Sequence, residues 1–188
     1  MIVFLGGESC TGKTRLAQTL LEHYSIPYLS LDHLKMGWIR AGQASFQADS
    51  PDETIAAALW PIVKGIAQTA IENRQYLTME GCYLLPSLMD EFRQQFPSQT
   101  LCFAIGFSAG YIQNHLDSGI LANRCVIEYR KFPEERSAEE MIRQHRHWKT
   151  QCGRYHIPYF EIEADYPQAI ARIVEWVGEQ RKQTPGLF

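Results

Sequence analysis

The sequence predicts an α/β fold in which helices cover both faces of a parallel sheet. Five short apolar runs, each typical of a buried strand, alternate along the chain with longer segments of helical periodicity. Strands that alternate with helices pair in parallel, because each helix carries the chain back across the sheet in a right-handed crossover. No internal repeat, low-complexity tract or linker divides the 188 residues, so we expect residues 1–188 to form one domain.

The individual elements follow from periodicity and from glycine and proline positions. Strands are predicted at residues 2–5, 27–31, 76–80, 101–105 and 157–162, with Gly81 and Gly106 ending the third and fourth. Helices are predicted at residues 14–23, 32–41, 52–73, 86–96, 108–116, 137–151 and 166–183. Pro61 predicts a kink or break in the third helix, and Ser137 with Glu140 predicts a capping box at the sixth. Residues 121–135 are ambiguous, and residues 184–188 are expected to form a frayed tail.

The first predicted strand leads into the most informative segment of the chain. Its residues fit the pattern G-x-x-x-x-G-K-[ST], the phosphate-binding P-loop: Gly7, Glu8, Ser9, Cys10, Thr11, Gly12, Lys13 and Thr14. The backbone N–H groups of such a loop and of the following helix N-terminus form a cradle for an anion. Lys13 is predicted to reach the β- and γ-phosphates of a nucleotide, and the Thr14 hydroxyl to bind Mg²⁺. The alternative is a Gly-rich turn that binds nothing.

The composition argues against several other classes of protein. The chain is 45% hydrophobic and 21% charged, which is ordinary for a globular protein. Its formal net charge of −3 gives no support for broad binding to nucleic acid or to anionic membranes. No apolar run approaches the roughly 18 residues that cross a bilayer, and there is no signal-peptide pattern, so we expect a cytoplasmic protein. The five cysteines include no C-x-x-C pair, which indicates neither a zinc site nor a disulfide framework.

Two carboxylates follow the second and third predicted strands, where ligands of such sheets bind. Asp32 is predicted to orient an acceptor hydroxyl or to act as its general base, with a link to Mg²⁺ through water. The alternative for Asp32 is a helix N-cap. Glu80 closes a strand similar to a Walker B strand, whose final acid holds the Mg²⁺ shell; the alternative is a carboxylate beside a glycine turn. Together with the P-loop, these two carboxylates would supply the groups that phosphoryl transfer requires at one edge of the sheet: a phosphate cradle, oxygen ligands for Mg²⁺ and a group that serves the acceptor.

The segment before the fifth predicted strand is rich in basic residues. They include Arg130, Lys131, Arg143, Arg146, Lys149 and Arg154. Arg143, Arg146 and Lys149 share one helical face, which predicts a lid at about residues 121–154 that neutralises the transferring phosphoryl group. The alternative is a solvated face on which Glu139 and Glu140 pair with the arginines.

The acceptor is expected to face the segment that begins at Asp32. His33 and Arg40 on the second predicted helix join Asp32 and Glu80 as candidate acceptor-binding residues. Arg40 is suited to hold an anionic group on the acceptor.

With these residues in place, the chain resembles the small P-loop kinases of the adenylate kinase-like superfamily. It is most similar to 2-phosphoglycerate kinase-like members, and more distantly to zeta toxins, shikimate kinases and chloramphenicol phosphotransferases. The matching segments are Gly7 to Thr14, Tyr28 to Asp32, Met79-Glu80-Gly81 and Glu139 to Arg143. The D-x-D arrangement of shikimate and gluconate kinases is absent, because Ser30-Leu31-Asp32 supplies one acid.

The resemblance implies further properties of the fold and the site. It implies a P-loop three-layer sandwich with strand order 2-3-1-4-5, dependence on ATP and Mg²⁺, and transfer of the γ-phosphoryl group. It also implies that Arg143 and Arg146 contact the phosphates and that Arg124 lies near the adenine. With Lys13 and Asp32, these two lid arginines are the predicted catalytic residues.

The function that these features favour is an ATP-dependent kinase. Its acceptor is expected to be a hydroxyl or phosphate of a small cytoplasmic metabolite or nucleotide. The alternatives are a regulatory switch that hydrolyses a nucleotide slowly, and a zeta toxin-like nucleotide-sugar kinase. We expect ATP and a small molecule as binding partners, no membrane or nucleic acid, and a monomer or homodimer.

Overall fold

A computed structural model of the protein describes residues 1–127 and 136–183. Its centre is a five-stranded parallel sheet of order β2-β3-β1-β4-β5. The strands are β1 (Ile2–Gly7), β2 (Tyr28–Ser30), β3 (Leu77–Glu80), β4 (Thr100–Phe107) and β5 (Tyr159–Ile162). The predicted fold class and strand order are therefore confirmed.

The described residues form seven α-helices and one short π-helix around this sheet. The helices are α1 (Lys13–Tyr24), α2 (Leu31–Arg40), α3 (Asp52–Glu72), α4 (Pro86–Gln95), α5 (Ala109–His115), α6 (Ala138–Arg154) and α7 (Tyr166–Gln183). The π-helix, Leu116–Leu121, continues directly from α5. The predicted lid residues Arg130 and Lys131 lie outside the described residues, as does the predicted tail at 184–188.

The core has one layer on each face of the sheet. All residues of β1 are buried, and their side chains alternate between the two layers. Ile2 and Phe4 pack in one layer with residues of α3, α4 and α6. Val3 and Leu5 pack in the other layer with residues of α1 and α7. This placement of helices on both faces follows from the fully apolar character of the central strand.

The strand register places the predicted chemical groups side by side. Glu80 at the end of β3 lies opposite Leu5 of β1 and Ser30 of β2. Because the strands are parallel, the P-loop after β1, Glu80 and the start of α2 meet at one edge of the sheet.

Helix α2 begins one residue earlier than the sequence predicts. Ser30 is the N-cap residue, with φ −79° and ψ 127°, and its side chain makes no capping hydrogen bond. Asp32 therefore lies inside the first turn, and the alternative interpretation of Asp32 as the N-cap is wrong. A carboxylate in this turn is still favoured by the helix dipole.

Two other sequence-based boundaries also need correction. Helix α3 runs unbroken through Pro61, so the predicted break is wrong. Pro61 and Ala57, whose carbonyl loses its partner, are both exposed, while Leu59 and Val63 anchor the helix in the core. Strand β4 continues past Gly106. A Cβ at Gly106 would collide with the Tyr159 hydroxyl, so this glycine permits close packing instead of ending the strand.

Helix α3 is the one described helix that is long and apolar enough to cross a membrane. Its residues Ile55, Leu59, Trp60, Val63 and Ala67 are buried in the core. A core helix of a soluble protein passes the same test of length and composition.

Candidate active site

Two adjoining cavities open at the edge where the strands end. The first, of about 490 Å³, is lined by P-loop residues and by residues of α5, the π-helix and the start of α7; we call it the P-loop cavity. The second, of about 1480 Å³, lies between α2, the start of α3 and α6; we call it the adjoining cavity. Ser9, Asp32 and Cys82 line both cavities. These three residues therefore mark the boundary at which two ligands could meet.

The two glycines of the P-loop have backbone conformations that favour glycine. Gly7 has φ +131° and Gly12 has φ +84°, both in the region that favours glycine. A Cβ at Gly7 would collide with the carbonyl of Ile105, and one at Gly12 with the hydroxyl of Tyr166. Both glycines are therefore required by conformation and by close packing.

Lys13 and Thr11 both converge on the carbonyl of Glu8. The Lys13 Nζ donates to this oxygen at 2.7 Å, and the Thr11 hydroxyl donates to it at 2.9 Å. Lys13 also contacts the Cys82 Sγ at 3.4 Å and is only 6% exposed. Burial lowers the pKa of Lys13, but the neighbouring Cys82, Glu80 and Glu8 more than offset that effect, so its pKa lies above the ordinary value. Lys13 is a buried, charged ammonium in the loop.

Thr14 and Glu80 supply neighbouring oxygen atoms below the loop. The Thr14 hydroxyl donates to Glu80 Oε1 at 3.1 Å, and Glu80 is buried. Burial raises the pKa of Glu80, while Lys13 and hydrogen bonds from Ser30 and Thr14 partly oppose it. No group of three His, Cys, Asp or Glu side chains that could hold a metal occurs among residues 1–127 and 136–183. A hydroxyl with one carboxylate fits Mg²⁺, which is usually held by few protein ligands together with phosphates.

Asp32 is held by two buried side chains, those of Lys35 and Tyr83. Its Oδ1 lies 3.1 Å from the Lys35 Nζ and accepts from the Tyr83 hydroxyl at 3.2 Å. Lys35 also donates to the Tyr83 hydroxyl at 2.6 Å. Burial raises the pKa of Asp32, but Lys35, Lys13 and Tyr83 outweigh it and hold the pKa below the ordinary value. Asp32 is therefore an ionised carboxylate with a fixed orientation.

Several predicted site residues lie apart from this cluster. His33 and Arg40 are exposed and line neither cavity, so their predicted role in acceptor binding stays a prediction. Arg143 is exposed and lines the adjoining cavity. Its Nη2 lies 3.6 Å from Glu140 Oε1, and this ion pair is what the alternative of a solvated face predicts. Arg146 is exposed and lines neither cavity. Arg124 lines the P-loop cavity, and its predicted position near the adenine stays a prediction.

Three residues of this region are absent from the predicted site residues, although the sequence carried a signal for two of them. Lys35 stands three residues after Asp32, which is the spacing of neighbours on a helix. Tyr83 follows β3 closely, where site residues of parallel sheets occur. Arg136 contacts Glu8 at 3.0 Å across 128 positions of sequence, and no local pattern indicates that contact.

Comparisons with known proteins show which solved structures share this fold. No protein-family model and no curated protein matches the chain. The structure is similar to shikimate kinase from Bacteroides thetaiotaomicron, with a TM-score of 0.56, 14% identity and coverage of 95% of this chain and 98% of that one. Shikimate kinase from Aquifex aeolicus gives a TM-score of 0.55 at 14% identity, with coverage of 96% and 98%. A gluconokinase from Sinorhizobium meliloti gives a TM-score of 0.53 at 14% identity, with coverage of 95% of each chain.

These similarities extend over nearly the whole length of both chains. The chain shares the fold of these neighbours, which are two shikimate kinases and a gluconokinase. At such low identity the likeness concerns the fold, so function has to be argued from the site.

Proposed function

We propose that this protein is a Mg²⁺-dependent phosphotransferase that moves the γ-phosphoryl group of ATP to a hydroxyl or phosphate group of a small cytoplasmic molecule. One observation carries the proposal: an ionised carboxylate lies at the boundary of two cavities, beside a buried ammonium and a hydroxyl–carboxylate pair. These groups are Asp32, Lys13 and the Thr14–Glu80 pair. A nucleotide-hydrolysing switch needs only the first cavity. The second cavity, with a carboxylate at its entrance, supports transfer to a second substrate.

The P-loop cavity has the features of a nucleotide site. The loop N–H groups and the α1 N-terminus suit the phosphates, and Lys13 supplies a buried positive charge. Away from the loop, the cavity is lined by Phe107, Tyr111, Ile120, Arg124 and Tyr166. Aromatic and apolar side chains of this kind suit the face of a nucleobase, and Arg124 is our candidate for the adenine contact.

Thr14 and Glu80 are the residues that would hold Mg²⁺, with Asp32 linked to it through water. When bound there, this ion would neutralise negative charge on the phosphates. Glu80 suits this role because its carboxylate is already hydrogen-bonded to Thr14 and lies close to Lys13.

Asp32 is proposed to orient the acceptor hydroxyl and to take its proton as the new bond forms. An ionised carboxylate accepts hydrogen bonds, and Lys35 with Tyr83 fixes its direction. Arg143 and Arg146 are proposed to neutralise charge on the phosphoryl group when the segment at 121–154 closes. The lining of the adjoining cavity by Arg143 supports this role for that residue.

A product screen tests the proposal. Purified protein would be incubated with γ-labelled ATP, Mg²⁺ and a library of sugars, polyols, hydroxy acids and nucleotides. We expect a labelled product with the wild-type protein and with Lys64→Ala, a surface variant outside both cavities. Lys13→Ala should yield none, because it removes the charge that contacts the phosphates. Label that appears only as inorganic phosphate, at a rate independent of every library member, would refute transfer and favour the switch.

A further inference from the structure

Glu8 places a carboxylate inside the phosphate-binding loop. The residue is buried, and its Oε1 accepts the N–H of Ser9 at 2.7 Å. The same oxygen accepts from the Arg136 Nη1 at 3.0 Å. Its backbone carbonyl accepts from Lys13, so two cations of the site converge on one loop residue. Glu8 thus accepts hydrogen bonds from both cations, through its carboxylate and its backbone carbonyl.

The ion pair between Glu8 and Arg136 is largely shielded from water. The two side chains are 10% and 20% exposed, respectively. Removing one member of a shielded pair leaves an uncompensated buried charge, whereas removing both does not. Gln144 Oε1 also accepts from the Arg136 Nη1 at 2.8 Å, so the guanidinium is anchored to α6. Arg136 can therefore change its carboxylate partner while Gln144 keeps it in place.

The pair lies beside the boundary between the two cavities. Glu8 and Arg136 line the adjoining cavity beside Ser9, which also lines the P-loop cavity. A negative charge in this loop opposes the approach of a polyphosphate, and an arginine beside it attracts one. A carboxylate and a phosphate offer the same kind of bidentate oxygen pair to a guanidinium.

We propose that Glu8 holds Arg136 in the place of an anion, and that Arg136 exchanges this carboxylate for the terminal phosphate of a nucleoside triphosphate. Arg136 is then a specificity-determining residue that favours the triphosphate over the diphosphate. Glu8 is its positioning residue. This inference rests on the proposed function, because it requires a nucleotide in the P-loop cavity.

Calorimetric titration with Mg²⁺ and either AMP-PNP or ADP tests the exchange without any acceptor. The proteins would be wild type, Glu8→Gln, Arg136→Met, the double variant, and Arg172→Met as a control on the exposed face of α7. Glu8→Gln should bind AMP-PNP more tightly, because Arg136 no longer has to leave a charged partner. The double variant should bind AMP-PNP about tenfold or more weakly than Glu8→Gln, the loss expected for a charge-assisted hydrogen bond. ADP affinity should differ by less than about twofold between these two.

The double variant keeps the test decisive even if Arg136→Met fails to fold, because it leaves no buried charge unpaired. Equal AMP-PNP-to-ADP affinity ratios for Glu8→Gln and the double variant would overturn the exchange and leave a purely structural ion pair. Wild-type protein that binds neither nucleotide would instead overturn the proposed function itself. Arg172→Met should match wild type throughout.

Discussion

His145 shows how a single residue couples the site to the sheet. It is 4% exposed, and its Nδ1 accepts the backbone N–H of Phe107 at 3.0 Å, which joins α6 to the end of β4. Burial lowers the pKa of His145 to about 4; the neighbouring Glu8 carboxylate opposes this effect, and the charges of Lys13 and Arg136 add to it. His145 is therefore neutral at pH 7, and its Nδ1 is free of the proton that would break this hydrogen bond.

This lowered pKa makes the stability of the fold depend on pH. The unfolded chain binds the His145 proton near pH 6.5, whereas the folded chain binds it only near pH 4. The contribution of neutral His145 to the free energy of unfolding is therefore complete above pH 6.5 and is lost as the pH falls toward 4. Between pH 7 and pH 5, wild type should lose about 2 kcal/mol more unfolding free energy than His145→Gln. Urea unfolding at both pH values measures this, with His23→Gln, an exposed histidine, as control. An equal loss of unfolding free energy in wild type and His145→Gln would contradict the lowered pKa of His145.

At the scale of elements, α6 carries residues of both the core and the site. Its buried residues Met141, Ile142, His145, Trp148 and Cys152 recur at helical spacing. Its N-terminus has a complete capping box, in which the Ser137 hydroxyl accepts from the Glu140 N–H at 3.2 Å and Glu140 accepts from the Ser137 N–H at 3.3 Å. Arg136 directly precedes this cap, so the cap fixes the helix end from which the arginine reaches Glu8.

The cap of α6 should affect both stability and nucleotide binding. Ser137→Ala removes the acceptor for the Glu140 N–H and should lower the free energy of unfolding by about 1 kcal/mol. Since the first turn then frays beside Arg136, AMP-PNP affinity should fall while ADP affinity is nearly unchanged. Urea unfolding and calorimetry measure the two effects, with Ser98→Ala at an exposed turn as control. Unchanged stability in Ser137→Ala would show that the capping box is unimportant here.

Sequence patterns predict the elements of this fold better than they predict the contacts between side chains. The P-loop, Asp32 and Glu80 were predictable because each follows a strand, and parallel strands end at one edge. The contact of Lys35 with Tyr83 spans 48 positions, and that of Arg136 with Glu8 spans 128. Such pairs depend on how helices pack on the sheet, which periodicity does not specify.

Proline and glycine explain the remaining errors. Pro61 disfavours a helix locally, but burial of the neighbouring residues outweighs the lost hydrogen bond. Gly106 resembles a strand terminator in sequence, although tertiary packing against Tyr159 is what requires it. In both cases a local preference is overridden by contacts that are distant in sequence.

At the scale of the whole molecule, the sheet brings three separate chain segments to one boundary between two cavities. The loop after β1, the end of β3 and the first turn of α2 each contribute one chemical group. A nucleotide-hydrolysing switch requires the first two, whereas a kinase also requires a group that serves the acceptor. Asp32 is therefore the residue on which the assignment of phosphoryl transfer depends.

The most direct test of this account compares nucleotide binding with phosphoryl transfer in Asp32→Asn. The amide keeps the size of the side chain but cannot take a proton from the acceptor. Mg²⁺–AMP-PNP affinity, measured by calorimetry, should stay within about threefold of wild type. Transfer of labelled phosphate to the acceptor found in the screen should fall by roughly a hundredfold or more, while the exposed variant Asp117→Asn should match wild type. Near-normal transfer by Asp32→Asn would contradict the central claim.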